Sequence, residues 1–151
     1  MTGSVVASMD GPVGVIELAR PEKFNCLSQA AWLKIDQARA ACEADGAIRA
    51  ILTTRKATLL HRRRPPRSQN QHVGQGALEA FMLRGIATLD RLEASPLPVV
   101  PAVQGLCLAG GPELMLSADV VFAARSATLV HQHAQSRLFP AGAAVRPRRA
   151  V

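Results

Sequence analysis

The chain has 151 residues, of which 48% are hydrophobic, 3% aromatic and 19% charged, a length and composition that suit one modest domain with an apolar core and exclude a disordered polypeptide. The net charge of +7 would ordinarily direct attention to nucleic acid, but ten of the 18 basic residues fall in two stretches, leaving eight against 11 acidic residues elsewhere. The stretches are Arg55, Lys56, Arg62, Arg63, Arg64 and Arg67, and then Arg137, Arg146, Arg148 and Arg149. With no tyrosine and few aromatics there is little platform for stacking bases, so no specific nucleic-acid partner is expected.

The apolar runs are broken by proline, glycine or charge well before membrane-spanning length, and the first ten residues lack a basic region followed by an apolar one. A cytoplasmic protein without a membrane partner is therefore expected. Cys26, Cys42 and Cys107 are odd in number and lack C-x-x-C spacing, which supports neither a disulfide framework nor a zinc site.

Residues 13–18 alternate loosely between Gly11-Pro12 and Arg20-Pro21 and read as a strand. Ser28 then caps a helix over residues 29–44, in which Ala31, Trp32, Ile35, Ala38, Ala41 and Cys42 follow helical spacing and Asp45-Gly46 closes the element. Trp32 belongs to the core on this reading. Residues 47–53 form the next strand. The spacing of Leu78, Phe81, Met82, Ile86, Leu89 and Leu92 predicts an amphipathic helix over residues 76–93. Residues 97–103, with Pro98 and Pro101 among valines, read as a short buried strand feeding a glycine turn, after which Glu113, Leu114, Met115 and Leu116 start a helix. Strands alternating with helices indicate an α/β domain with right-handed crossovers.

The run Val103-Gln104-Gly105-Leu106-Cys107-Leu108-Ala109-Gly110-Gly111-Pro112-Glu113-Leu114 carries the chemistry. Gly110 and Gly111 have no Cβ, so backbone N–H groups at the helix start can approach a ligand oxygen, and Glu113 falls in the first helical turn beside them. This run resembles the G-x-x-L-G-G-G-x-E-L turn of the crotonase (enoyl-CoA hydratase/isomerase) superfamily, including an Asp a few residues on, here Asp119. Val15-Ile16-Glu17-Leu18 followed by Arg20-Pro21-Glu22-Lys23-Phe24-Asn25-Cys26-Leu27 resembles that family's first strand and its R-P-x-K-x-N-A-L turn, and Ala50-Ile51-Leu52-Thr53 its next strand. The resemblance implies a crotonase-like spiral of ββα units, with residues 1–151 forming an incomplete version of it.

Two segments depart from the family pattern. Residues 58–67 stand where the family carries F-C-x-G-A-D-L, whose backbone supplies the second oxyanion donor. Read one nucleotide later, the codons for residues 58–67 can encode Arg-Phe-Cys-Thr-Gly-Ala-Asp-Leu. Read two nucleotides later, those for residues 137–145 can encode Leu-Val-Pro-Gly-Trp-Gly-Gly-Ser, which resembles the family's L-x-P-G-x-G-G stretch. A shifted reading frame is the expected origin of both arginine-rich segments, in preference to an evolved basic patch. The family also continues beyond this point into helices that close the acyl pocket.

Through the resemblance, Gly110 corresponds to the glycine whose N–H forms half of an oxyanion hole, and Glu113 to the first catalytic carboxylate. His133 stands where two-glutamate hydratases carry the second, and histidine does not reproduce a carboxylate's two acceptor oxygens. Asn25, Cys26 and Leu27 match the turn that receives the adenine end of coenzyme A through backbone groups, with Lys23 placed to meet phosphate. His131 and His133 alternate in sequence, but no third ligand accompanies them, so no metal site is assigned. The implied substrate is an acyl-CoA thioester, coenzyme A being part of it and no separate cofactor needed, and the implied assembly is a homo-oligomer, a trimer or hexamer. The expected activity is hydration or double-bond migration of an enoyl-CoA, with little turnover. An inactive acyl-CoA-binding or subunit-interaction remnant is the rival, and a basic nucleic-acid-binding protein a third.

Overall fold

The computed structural model describes residues 4–56, 75–108 and 110–130. Both arginine-rich segments beyond Lys56, together with His131 and His133, lie outside them, and so do the frame-shift readings.

An α/β architecture is present. Strands β1 (Val5–Asp10), β2 (Val13–Leu18), β3 (Ala50–Arg55), β4 (Val99–Val103) and β6 (Phe122–Ala123) form one sheet in that order, and β5 (Leu106–Leu108) pairs with β7 (Thr128–Val130) in a second. The β1–β2 pair is antiparallel, while β2–β3, β3–β4, β4–β6 and β5–β7 are parallel. Helix α1 (Gln29–Ala44) links β2 to β3, α2 (Gln75–Glu93) precedes β4, and α3 (Gly110–Leu116) follows β5. The order strand, strand, helix occurs at β1–β2–α1 and again at β4–β5–α3.

Strand β1 is an addition to the sequence reading, and the strand over residues 13–18 is thus the second of the sheet. Only Val5 of β1 is buried, so the strand shows no inside–outside alternation that a pattern search could detect. Its signal is instead the Asp10-Gly11 dipeptide. Gly11, at φ +54°, opens a two-residue hairpin loop that pairs Asp10 with Val13.

Helix α1 has the expected bounds. The Ser28 hydroxyl accepts a hydrogen bond from the Ala31 N–H at 3.2 Å, occupying one of the donors that every helix start leaves over. Strand β3 begins three residues later than the apolar pattern suggests, because the Asp45 side chain accepts from the Ala47 N–H and its carbonyl from the Ile48 N–H. That turn holds the chain out of the sheet until Ala50. Leu97 is likewise held by Ser95 Oγ, which delays β4 to Val99.

Pro101 is tolerated inside β4 for a directional reason. Val99 and Val103 carbonyls accept from Asp119 and Ala124, on the side where β6 lies, whereas Pro98 bonds toward β3. Alternation puts the missing Pro101 N–H on the β6 side, one residue before the β6 ladder begins at Ala102.

Helices α1 and α2 cover one sheet face. Ile16, Ile51 and Val99 of the strands meet Trp32, Ile35, Ala38 and Cys42 of α1 and Leu89 and Leu92 of α2, with Leu114 of α3 joining the same cluster. Gly14 and Gly85 permit this closeness: a Cβ at Gly14 would collide with the Cys42 thiol, and one at Gly85 would press on the Trp32 ring at 3.3 Å. The core stripe predicted for α2 holds only in its C-terminal half. Leu78 and Met82 are exposed and Phe81 is half-buried, since contact with α1 tightens from Gly85 onward. No described helix is long and apolar enough to cross a membrane.

Candidate active site

The turn after β2 is built by its own hydrogen bonds. A short 3₁₀ turn at Pro21–Lys23 delivers Phe24 and Asn25 into the left-handed region, at φ 54° and 52°. For residues with a Cβ this conformation costs on the order of 1–3 kcal/mol each unless the surroundings enforce it. Here they do. The Arg20 carbonyl accepts from the Lys23 and Asn25 N–H groups, Lys23 accepts from Cys26, and the Asn25 side chain closes both ends of the turn. Its Oδ1 accepts from the Arg20 N–H at 2.8 Å, and its Nδ2 donates to the Lys56 carbonyl at 3.0 Å, at the end of β3.

Asn25 is therefore a buried clamp between two parts of the sheet, and the backbone N–H groups of Asn25 and Cys26 are already engaged within the turn. What the turn can offer a ligand is carbonyl oxygens, the exposed edge at Cys26 and the exposed Lys23. Leu27 points the other way and packs against the core.

The second part of the site follows β4. Gly105, at φ +59°, turns the chain into β5, and α3 begins at Gly110. A Cβ on Gly110 would lie 3.0 Å from Leu27 Cδ1 and 3.8 Å from Trp32 Cζ2, and one on Gly111 would lie 2.7 Å from Cys107 Sγ. A side chain at Gly111 would force the Cys107 thiol to shift, and one at Gly110 would make the Leu27 side chain give by a few tenths of an ångström. Pro112 falls in the first turn of α3, where a missing N–H costs no intrahelical bond.

Glu113 is buried in that same first turn, with 7% of its surface exposed. Behind it, Asp119 returns the chain to β4 by a reciprocal pair: its carboxylate accepts from the Val99 N–H at 2.8 Å, and its own N–H donates to the Val99 carbonyl at 3.0 Å. The acidic residue noted after the glycine turn thus has a structural use, holding α3 against the sheet.

Of the residues singled out from sequence, the fold brings Leu27 to Gly110 and places Glu113 one helical turn away. Lys23 and Cys26 stand on the exposed side of their turn, and His133 lies outside the described residues. Sequence reading missed two links, the Asn25 clamp and the pairing of Arg55 with Gln104, because each joins residues more than 30 positions apart.

One open cleft of about 310 Å³ lies between α1 and α2, and another at the ends of β3, β4 and β6. Neither is lined by Gly110 or Glu113, so cleft size does not locate the candidate chemistry; the juxtaposed glycine turn and buried carboxylate do. Cys26, Cys42 and Cys107 are unbridged. Burial pushes the Cys42 thiol up, with Asp45 and Glu43 adding to the shift, and pushes Cys107 up against an opposing pull from Arg55. Neither is an activated thiolate. Among the described residues no group of three or more His, Cys, Asp or Glu side chains could hold a metal ion.

A sequence model of the enoyl-CoA hydratase/isomerase family matches residues 8–151. A Rhodobacter capsulatus protein named "Probable enoyl-CoA hydratase" is 32% identical over 134 residues, covering 85% of this chain and 49% of the relative. A solved enoyl-CoA hydratase/isomerase family protein of Hyphomonas neptunium superposes with a TM-score of 0.83 at 26% identity, covering 93% of this chain and 55% of that one. A solved enoyl-CoA hydratase subunit of Geobacillus kaustophilus gives a TM-score of 0.77 at 30% identity over 91% of this chain and 52% of its own. The chain spans about half the length of the curated relatives it matches. With a family model matching nearly its whole length and the glycine turn, buried glutamate and R-P-x-K-x-N turn all in place, the chain belongs to the enoyl-CoA hydratase/isomerase family.

Proposed function

We propose that this chain acts on acyl-CoA thioesters, or derives from an enzyme that does, with Gly110 and Glu113 as its reacting groups. The observation that carries this reading is the buried Glu113 in the first turn of the helix that Gly110 opens, beside the turn of residues 23–27. The Gly110 N–H donates to the thioester oxygen as negative charge develops there, which is often the largest single catalytic contribution. Glu113 moves a proton to or from the acyl carbons, as hydration or double-bond migration requires. His133 corresponds in sequence to the second acid/base group of two-glutamate hydratases. Carbonyls of Asn25, Cys26 and Leu27 receive the adenine end of coenzyme A, and Lys23 meets its phosphate. Coenzyme A enters as part of the substrate, and no other cofactor is invoked. A homo-oligomer and a cytoplasmic location accompany this reading.

Turnover is expected to be low, because residues 58–67 lack the family segment that supplies the second oxyanion donor, and losing one donor costs about 10²–10³ in rate. The test compares three proteins in one crotonyl-CoA hydration and isomerisation assay: this chain, a version with both arginine-rich segments restored to the family pattern, and Glu113→Gln in the restored version. Restoration should raise turnover, and Glu113→Gln should lower it by about 10²–10⁴. Full activity in Glu113→Gln would show that the carboxylate has been misassigned. Acyl-CoA binding without turnover in the restored protein would favour the inactive remnant.

A further inference from the structure

Where the β3–β4 ladder stops, a side chain takes over its work. The registered pairs run from Ile51–Val99 to Thr53–Pro101, so the ladder ends two residues before Arg55 and three before Gln104. At that point the Arg55 guanidinium Nη2 donates to the Gln104 main-chain carbonyl, and Gln104 Nε2 donates back to the Arg55 carbonyl at 3.2 Å. The two bonds cross between the ends of β3 and β4. Gly105 is shaped to this brace, since a Cβ there would stand 2.9 Å from Arg55 Nη2.

The connection continues into the candidate site. The Gly105 carbonyl accepts from the Thr128 N–H at 2.8 Å, which starts the β5–β7 pair at Leu106 and Thr128. Cys107, on β5, packs against Gly111, two residues before Glu113. Arg55 also lies close enough to Cys107 to oppose the effect of burial on its thiol.

We infer that Arg55 is a positioning residue: by gripping the Gln104 carbonyl, its guanidinium sets where β5 and the glycine turn that follows it stand relative to β3. Its catalytic consequence rests on the acyl-CoA reading; its mechanical role does not. A guanidinium suits the task because its planar fork holds an acceptor in a defined direction, whereas an ammonium supplies the charge without the fixed geometry.

Amide hydrogen exchange in the full chain, without any ligand, tests this. Arg55→Met keeps the aliphatic stem and removes the donors. Exchange at Thr128 and within β5 should accelerate by about tenfold, the scale of a charge-assisted bond, while the β2–β3 ladder keeps its protection. Arg55→Lys should recover part of that protection. Gln104→Ala should change exchange by less than about twofold, because the gripped carbonyl belongs to the main chain and the neutral return bond is the weaker of the two. Unchanged exchange at Thr128 in Arg55→Met, or equal acceleration throughout the sheet, would overturn the inference. Because this readout needs no acyl-CoA, a restored protein that neither binds nor turns over crotonyl-CoA would count against the proposed function and leave the exchange result standing.

Discussion

The helix-covered half of the sheet and the glycine-turn end hold their shape by different means. In the first, Ile16, Ile35, Ile51, Leu89, Leu92 and Val99 are 1% exposed or less, and order comes from apolar burial between α1, α2 and the strands. In the second, strands β5, β6 and β7 are two or three residues long, and Phe122, Val120 and Leu129 are 66%, 54% and 47% exposed. There the chain is directed by point contacts: Asp119 on Val99, Arg55 on Gln104, Gly111 on Cys107 and Gly110 on Leu27. Burial resists global unfolding. Point contacts fix direction locally, which is what the proposed site, one N–H and one carboxylate, would require.

This contrast breaks most visibly if a core change proves harmless. Trp32→Ala removes the ring that fills the space between Leu27, Gly85 and Gly110, and should cost about 3–5 kcal/mol of unfolding free energy in a denaturant titration followed by circular dichroism. Trp32→Phe should cost distinctly less. The indole Nε1 is buried with no hydrogen-bond partner among the described residues, so its removal discards a donor unsatisfied there along with the lost volume.

Asn25→Ala tests the boundary between the two regions. It removes both bonds of the clamp and leaves a left-handed residue without its enforcement, for an expected loss of about 1–3 kcal/mol. A loss below about 0.5 kcal/mol, within the usual scatter of surface changes, would mean that the turn holds without its amide.

A smaller effect appears with pH. Burial raises the Cys42 thiol above its ordinary value of 9.0, so the folded chain binds that proton more tightly than the unfolded chain. The associated stability is fully present below about pH 9 and is lost as pH rises through the raised folded value. Thermal midpoints should therefore decline more steeply on the alkaline side in the parent than in Cys42→Ala, once each is normalised to its own value at pH 7. Parallel curves would remove the thiol from the account.

The smallest change is expected at Phe122. With two thirds of its surface already in water, Phe122→Ser should alter the stability of this chain by no more than about 0.5 kcal/mol. A loss comparable to that of Asn25→Ala would show that the glycine-turn end shares the burial that holds the helix-covered half.

Local signals determined a large part of this molecule before any fold was known. Ser28 and Asp45 bound α1, alternation and β-branched runs mark β2, β3 and β4, and Gly110, Gly111 and Glu113 mark the start of α3, because capping, periodicity and glycine freedom act within a few residues. The family resemblance rests on those same short stretches. Tertiary structure alone decided that β1 joins the sheet with only Val5 buried, that Leu78 and Met82 of an otherwise regular apolar stripe remain exposed, and that Asn25 serves as a clamp. It also decided that Arg55 grips Gln104 and that Leu27 meets Gly110. Each of these depends on two segments far apart in sequence reaching the same place, and neither segment carries in its own residue pattern the distance at which the other will stand.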